Sequence, residues 1–334
     1  MPTTRNAHPS AAADRFQFHD LEPSLDSFRD AVIEGLGRPQ KAIPCRFLYD
    51  ERGSKLFDAI CDQPEYYPTR TELRILERNA AQIAALVGPR AVLVELGSGA
   101  SRKVRLLLDA FDEPLAYVPI DISLEHLRSA SRRVAGEHRD IAVHAICADY
   151  GEAFDLPSLP ATGARVAFFP GSTIGNFEES EATRFLATWG RRLGPGAHMI
   201  IGVDLEKDAA ILDRAYDDAA GVTASFSRNL LVRANRELGA TFHPDRFVHE
   251  ARYVAERHRV EIHLRSLDAT VVRVGESSFA FARDELLHVE NSCKYSVPRF
   301  TALAEAAGFE VRRHWTDPRQ LFSVHLLTVR RAGC

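Results

Sequence analysis

The sequence predicts an α/β protein: a doubly wound, mostly parallel sheet interrupted by an inserted α+β domain. Three observations carry this reading. Between residues 91 and 204, short apolar runs alternate with helical periods, the rhythm that builds parallel sheets through right-handed crossovers. Near residue 206 that rhythm gives way to a long helical stretch and then to short β-branched segments. After residue 297 one helix and two strands complete the pattern. The 334 residues, 45% of them apolar and 26% charged, can fill one large core or two joined ones.

Taken in order, residues 1–20 read as a polar, flexible lead-in. Apolar positions 25, 28, 32, 33 and 36 predict a helix over 25–36, stopped by glycines 35 and 37 ahead of Pro39. An aromatic-rich stretch at 47–54 leads into a short helix over 55–61 and an irregular segment at 64–69, and Thr71 is a suitable N-cap for a helix over 72–86. Strands follow at 91–95, 115–121, 141–148, 165–169 and 198–204, with helices at 102–110, 123–137 and 179–193 between them. The interruption reads as helical over 208–235, then as strands at 247–256, 259–265, 269–274 and 278–282. A helix over 297–307, ended by Gly308, and strands at 310–315 and 321–330 close the chain. The expected organisation is therefore a flexible N-terminus at 1–20, a segment at 21–70 that joins the inserted domain, a sheet domain from 71–205 plus 297–334, and the insertion at 206–296.

Composition removes several function classes. No run of 18 apolar residues exists to span a membrane, and the first fifteen residues lack the apolar core of a secretory signal. The five cysteines show no CxxC spacing, which argues against a zinc site or disulfide framework and for a reducing cytoplasm. The thirteen histidines show no metal-ligand spacing. A net charge of 42 minus 46, or -4, with signs interspersed, offers no basic footprint for nucleic acid. The expectation is a metal-free, cytoplasmic protein acting on a small molecule, without membrane or nucleic-acid partner, and monomeric because nothing in the sequence demands a dimer.

Chemistry concentrates at the predicted strand ends. Glu95-Leu96-Gly97-Ser98-Gly99 stands where the first strand of the alternation meets its helix, and its glycines let backbone approach a ligand beside the helix N-terminus. A dinucleotide fingerprint needs a third glycine at position 102, which is Arg. The pattern suits S-adenosylmethionine instead, with Asp121 on the ribose hydroxyls and Asp149-Tyr150 on the adenine. The loop Pro170-Gly171-Ser172-Thr173-Ile174-Gly175-Asn176 follows the fourth strand and overhangs that position, and Asn176 offers both a donor and an acceptor.

Several segments together resemble the histidine N-alpha-methyltransferases of ergothioneine biosynthesis. These are LYDERGSKLFDAICDQPEYYPTRTE at 48–72, ELGSGASRK at 95–103, YVPIDIS at 117–123, FFPGSTIGNF at 168–177, GVDLEKD at 202–208, AYDDAAGVTASFSRNLL at 215–231 and ENSCKYS at 290–296. The resemblance runs from about residue 25 to the C-terminus. It implies a Rossmann-like class I methyltransferase core with an inserted substrate-binding domain. It also implies transfer of methyl groups from S-adenosylmethionine to the α-amine of L-histidine, giving hercynine after three transfers. It places cofactor contacts at Gly97, Lys103, Asp121, Asp149 and Tyr150, and substrate contacts at Tyr49, Tyr66, Gly171, Asn176, Tyr216, Glu290 and Ser292.

Direct displacement at a sulfonium needs alignment and a neutral amine rather than a nucleophilic side chain or a metal. Tyr49 and Asn176 are the candidates to hold that amine, with Tyr66 and Asn176 on the carboxylate. Glu290 and Ser292, two apart on an extended segment, can face the two imidazole nitrogens. Three other readings compete: a methyltransferase of the same family acting on another amino acid or small amine, an NAD-dependent oxidoreductase disfavoured by Arg102, and a catalytically silent binding module.

Overall fold

Polar residues alternate with apolar ones along only part of this chain, and the strands between 91 and 204 are apolar on both faces, as a sheet covered on both sides requires. A computed structural model describes residues 15–21, 25–158 and 162–331. Strand β1 (Phe16–Asp20) precedes α1 (Leu25–Leu36), α2 (Glu51–Cys61) and α3 (Tyr67–Val87). The alternating part runs β2 (Val92–Leu96), α4 (Arg102–Ala110), β3 (Ala116–Asp121), α5 (Leu124–Glu137), β4 (Ala142–Cys147), β5 (Arg165–Phe169), α6 (Glu179–Leu193) and β6 (His198–Asp204). Helices α7 (Ala209–Tyr216) and α8 (Val222–Leu238) then lead to strands β7 (Phe247–Val254), β8 (Arg259–Ser266), β9 (Thr270–Val274), β10 (Ser277–Phe281) and β11 (Leu286–Cys293). Helix α9 (Val297–Ala306) and strands β12 (Phe309–Thr316) and β13 (Phe322–Val329) follow.

Among the described residues the main sheet has eight strands in the order β1-β4-β3-β2-β5-β6-β13-β12. The six from β1 to β6 are mutually parallel, whereas β13 pairs antiparallel with both β6 and β12. This is the expected doubly wound architecture. Successive side chains of β2 and β3 feed opposite cores: Leu93 and Tyr117 pack with α3 and α4 residues such as Leu76 and Leu107, while Val94 and Val118 pack toward Leu186 of α6 and Phe300 of α9. The strand order reverses beside β2, between β3 and β5, and the C-terminal ends of these strands form the crevice where such folds bind ligands.

A second core joins the N-terminal segment to the insertion. Phe28, Val32, Phe47, Leu48 and Tyr66 pack with Tyr216, Phe226, Leu230, Ile262 and Val289. Three-stranded antiparallel β11-β8-β7 and the hairpin β9–β10 supply its sheets. The insertion returns against the main sheet through Tyr295, whose N–H donates to the Asp204 carbonyl at 3.1 Å. No helix of the described residues is long and apolar enough to cross a membrane.

Four local expectations change. Residues 1–14 of the expected lead-in lie outside the described residues, but 16–20 form edge strand β1, parallel to β4. Its Phe16 and Phe18 find apolar partners only after the sheet has formed, so the short polar-flanked run reads as coil in isolation. Helix α2 starts four residues earlier than expected, because the Asp50 carboxylate accepts from Gly53 N–H at 2.7 Å and caps it. Helix α3 starts at Tyr67, with Pro68 in its first turn, so Thr71 is not its cap; its hydroxyl donates to the Tyr67 carbonyl at 2.8 Å. The helical stretch 208–235 is two helices, parted where the Asp218 carboxylate accepts from Val222 and Thr223 N–H at 2.8 and 2.7 Å.

Candidate active site

The glycine turn after β2 forms as the sequence suggests. Gly97 and Gly99 take φ of 71° and 48°, values that most side chains avoid. Asp121, ending β3, holds the turn: one carboxylate oxygen accepts from Gly99 N–H at 2.9 Å, the other from Ser123 N–H at 2.9 Å. Each oxygen keeps a second acceptor position. Burial pushes the Asp121 carboxyl up, and these two N–H donors work against that. Asp149, just past β4, accepts from Gly151 N–H at 2.8 Å and faces the Arg46 guanidinium at 3.4 Å. Tyr150 lies against the turn, 3.5 Å from where a Cβ on Gly97 would stand, and packs edge-on to Phe169 and Phe185.

Lys103, in the first turn of α4, reaches across to the loop after β5. Its ammonium sits 2.6 Å from the carboxylate of Glu72, a residue of α3 with no exposure. The same Glu72 oxygen accepts from Gly171 N–H at 2.9 Å. Glu72 can enter only because Gly202 is opposite: a Cβ there would lie 2.1 Å from the other carboxylate oxygen. Two non-glycine residues in this crevice, Ser101 and Ser172, hold left-handed φ of 54° and 59°, a strain of roughly 1–3 kcal/mol each that the surrounding contacts must sustain.

The loop after β5 is pressed onto β11. A Cβ on Gly175 would lie 2.7 Å from the Cys293 carbonyl, so only glycine allows that approach. It sets Asn176 beside Glu290 and Ser292. Together with Tyr49, Phe57, Tyr66, Gly171, Tyr216 and Phe226, these residues line an inner cavity of about 40 Å³. An outer cavity of about 630 Å³ is lined by Arg46, Ile122, Asp149, Tyr150, Phe177 and others. Tyr49, Asn176 and Glu290 line both, so the two cavities share a wall at these three side chains.

Of the residues expected to hold substrate, the inner cavity thus brings together Tyr49, Tyr66, Gly171, Asn176, Tyr216, Glu290 and Ser292. Of those expected to hold cofactor, Asp149 and Tyr150 line the outer cavity, Gly97 lies against Tyr150 and Asp121 holds the glycine turn, whereas Lys103 reaches Gly171 in the wall of the inner cavity. Tyr67 points the other way from Tyr66, with its hydroxyl 2.8 Å from both oxygens of Asp204.

Aromatic packing makes the inner cavity apolar on one side: the Tyr49 ring meets Phe57 and Phe226 at 5.5 and 5.4 Å, and Tyr66 meets Tyr216 at 6.1 Å. Burial, and next the Glu290 charge, raise the Tyr49 phenol well above its ordinary range, so it stays a neutral donor. Burial raises the Glu290 carboxyl to about 7, opposed by the Lys294 charge. Sequence reasoning passed over Glu72, Arg46, Asp204, Lys207 and the part played by Lys294. The segments 202–208 and 290–296 contained three of them, but a charge at a strand end reads as solvated until its partner is known. Cys293 is a buried thiol, raised to about 11 chiefly by burial, and it contacts the Phe177 carbonyl at 3.4 Å; the neighbouring lysine is occupied elsewhere.

Comparison with known proteins shows the family. A family model described as a histidine-specific, S-adenosylmethionine-dependent methyltransferase matches residues 28–329. The histidine N-alpha-methyltransferase of Mycolicibacterium smegmatis is 42% identical over 310 residues, 91% of this chain and 96% of that one. Its counterpart in Mycobacterium tuberculosis is 40% identical over 306 residues, covering 90% and 94%. Ergothioneine biosynthesis protein 1 of Neurospora crassa is 33% identical over 306 residues, which make up 88% of this chain and 34% of the fungal protein.

Proposed function

Because the chain belongs to the histidine-specific, S-adenosylmethionine-dependent methyltransferases, we propose that it methylates the α-amine of L-histidine three times, giving hercynine for ergothioneine biosynthesis. The observation that carries this reading is the wall shared by the two cavities. A donor in the outer cavity and an amino acid in the inner one would meet at Tyr49 and Asn176.

The residues around the glycine turn fit S-adenosylmethionine. Gly97 and Gly99 leave backbone open, Asp121 keeps acceptor capacity for a ribose diol, and Asp149 with Tyr150 offers an acceptor and a ring face for adenine. Lys103 is placed for the carboxylate of the methionine part, held by Glu72. Bound there, the cofactor supplies an electrophilic methyl group on a sulfonium.

The protein's own contribution is alignment, desolvation and charge. Asn176 can accept from the amine through its side-chain oxygen and donate to the carboxylate, which Tyr66 also reaches. The apolar aromatic wall favours the neutral, nucleophilic amine over the ammonium. As methyl groups accumulate, the faces of Tyr49, Phe57, Tyr66 and Phe226 stabilise the quaternary cation by cation–π attraction of roughly 0.5–2 kcal/mol. Glu290 and the Tyr216–Ser292 pair face the imidazole. The N-terminal segment and the insertion act in this reading as a substrate domain closing over the sheet, in a cytoplasmic monomer without metal, membrane or nucleic-acid partner.

Incubation with S-adenosylmethionine and each of the common amino acids, read by product mass, tests the proposal. A product three methyl groups heavier, formed with histidine alone, is the expected result. Methylation of a different amino acid in preference to histidine would move the assignment to the related amine or amino-acid methyltransferases, and no transfer to any would overturn it.

A further inference from the structure

Lys294 lies one residue beyond β11, with no exposure and no place in the lining of either cavity. Its ammonium lies 2.8 Å from Asp204 Oδ2, 2.7 Å from Tyr216 Oη and 2.8 Å from Ser292 Oγ. An ammonium has three N–H donors and no acceptor, so these partners use all of it. Tyr216 Oη and Ser292 Oγ are also 2.7 Å from each other, so one donates to the other. The two hydroxyls carry two hydrogens. One is spent between them and neither can be given to Lys294. One O–H is therefore left over, and both residues line the inner cavity. On the same strand, two residues before Ser292, Glu290 lines that cavity as a carboxylate acceptor.

We propose that Lys294 is a positioning residue for side-chain specificity. By donating to both hydroxyls, it leaves the Tyr216–Ser292 pair one free O–H and a single lone pair, which biases the pair toward donating beside the Glu290 acceptor. The cavity thereby favours a side chain with one N–H and one bare nitrogen, the neutral imidazole. This rests on the histidine reading above and deepens it. With Lys294 gone, lone pairs on both hydroxyls are released. The pair can then accept as readily as donate, and the requirement for a bare ring nitrogen relaxes.

Asp204 steadies the device from behind. Besides Lys294 it contacts the Lys207 ammonium at 2.7 Å and accepts from the Tyr67 hydroxyl. Burial works against its charge, but the two lysines hold its carboxyl below the ordinary range. Removal of Lys294 therefore still leaves Asp204 paired.

The test compares kcat/KM for histidine with that for an alanine bearing a pyrrolyl ring, which keeps an N–H and lacks the bare nitrogen. The wild-type enzyme should prefer histidine at least about fivefold, since the pyrrolyl ring leaves a buried donor unpaired. Lys294→Met should lower kcat/KM for histidine about tenfold or more and leave the pyrrolyl substrate within threefold, with S-adenosylmethionine affinity by calorimetry also within threefold. Adding Ser292→Ala to Lys294→Met should cost little more than Lys294→Met alone. Equal losses on both substrates, or fully additive losses in the double variant, would overturn the role of Lys294 while leaving histidine methylation standing. If Lys294→Met does not fold, the wild-type comparison decides: equal use of the two substrates overturns the proposal. Failure of the wild-type enzyme to methylate histidine at all would overturn the function, and this inference with it.

Discussion

Glu290 shows how much one buried carboxyl can report. It is half-buried at the wall between the cavities, and burial raises it from 4.5 to about 7. Facing it, Lys294 opposes the shift, while Tyr49, Tyr66, Tyr150 and Cys45 are neutral groups themselves raised by burial. Because its folded pKa is raised, the folded state keeps the proton longer than the unfolded chain does. Its contribution to stability is full below about 4.5 and is lost as pH rises through about 7. Glu290→Gln should therefore raise stability at pH 8 by about 1–2 kcal/mol and change it little at pH 4.5, measured by denaturant unfolding at both. The wild type should show a rate limb near pH 7 as this acceptor ionises, and the same variant should depress kcat/KM for histidine and remove that limb.

At the scale of elements, the site depends on helices and strands held together by buried charge. Glu72 of α3 ties α4 through Lys103 and the β5 loop through Gly171 N–H. Breaking such a pair on one side leaves the other charge buried and alone. Glu72→Ala should cost about 3–5 kcal/mol of stability, seen as an early denaturant midpoint, and weaken S-adenosylmethionine binding as well. A loss below about 1 kcal/mol would show that Lys103 finds another partner. The helix itself was legible: its apolar period is regular over 72–86. That its second turn carries an inward carboxylate was not, because the space it fills is made by Gly202, 130 residues away in the chain.

For the whole molecule, both cavities lie between the strand ends of the eight-stranded sheet and the second core: residues from 31–49 and 288–291 wall the outer one opposite Ile122, Asp149 and Tyr150. Binding at that boundary should stabilise the fold as a unit. At a concentration of S-adenosylmethionine 100 times its Kd, the unfolding free energy should rise by about 2.7 kcal/mol. Asp121→Ala, at the same ligand concentration, should lose most of that increment, with weaker binding by calorimetry. An undiminished increment would place the ribose contact elsewhere.

The sequence by itself determined the alternation of strands and helices, the glycine turn, the acids at the ends of the second and third strands, and the side chains now found around the inner cavity. The first three follow from local periodicity and turn chemistry, and the cavity side chains from the family resemblance carried by motifs contiguous in the chain. Tertiary structure alone decided the joining of residues 28–66 to the insertion in one core, the pairing of β1 at the sheet edge, and the shared wall between the cavities. It also decided which charges are interior. Lys294, Asp204, Lys207 and Glu72 resemble solvated residues in one dimension. A charge can be buried only when its counter-charge and hydrogen-bond partners arrive with it, and here most arrive from tens of residues or more away.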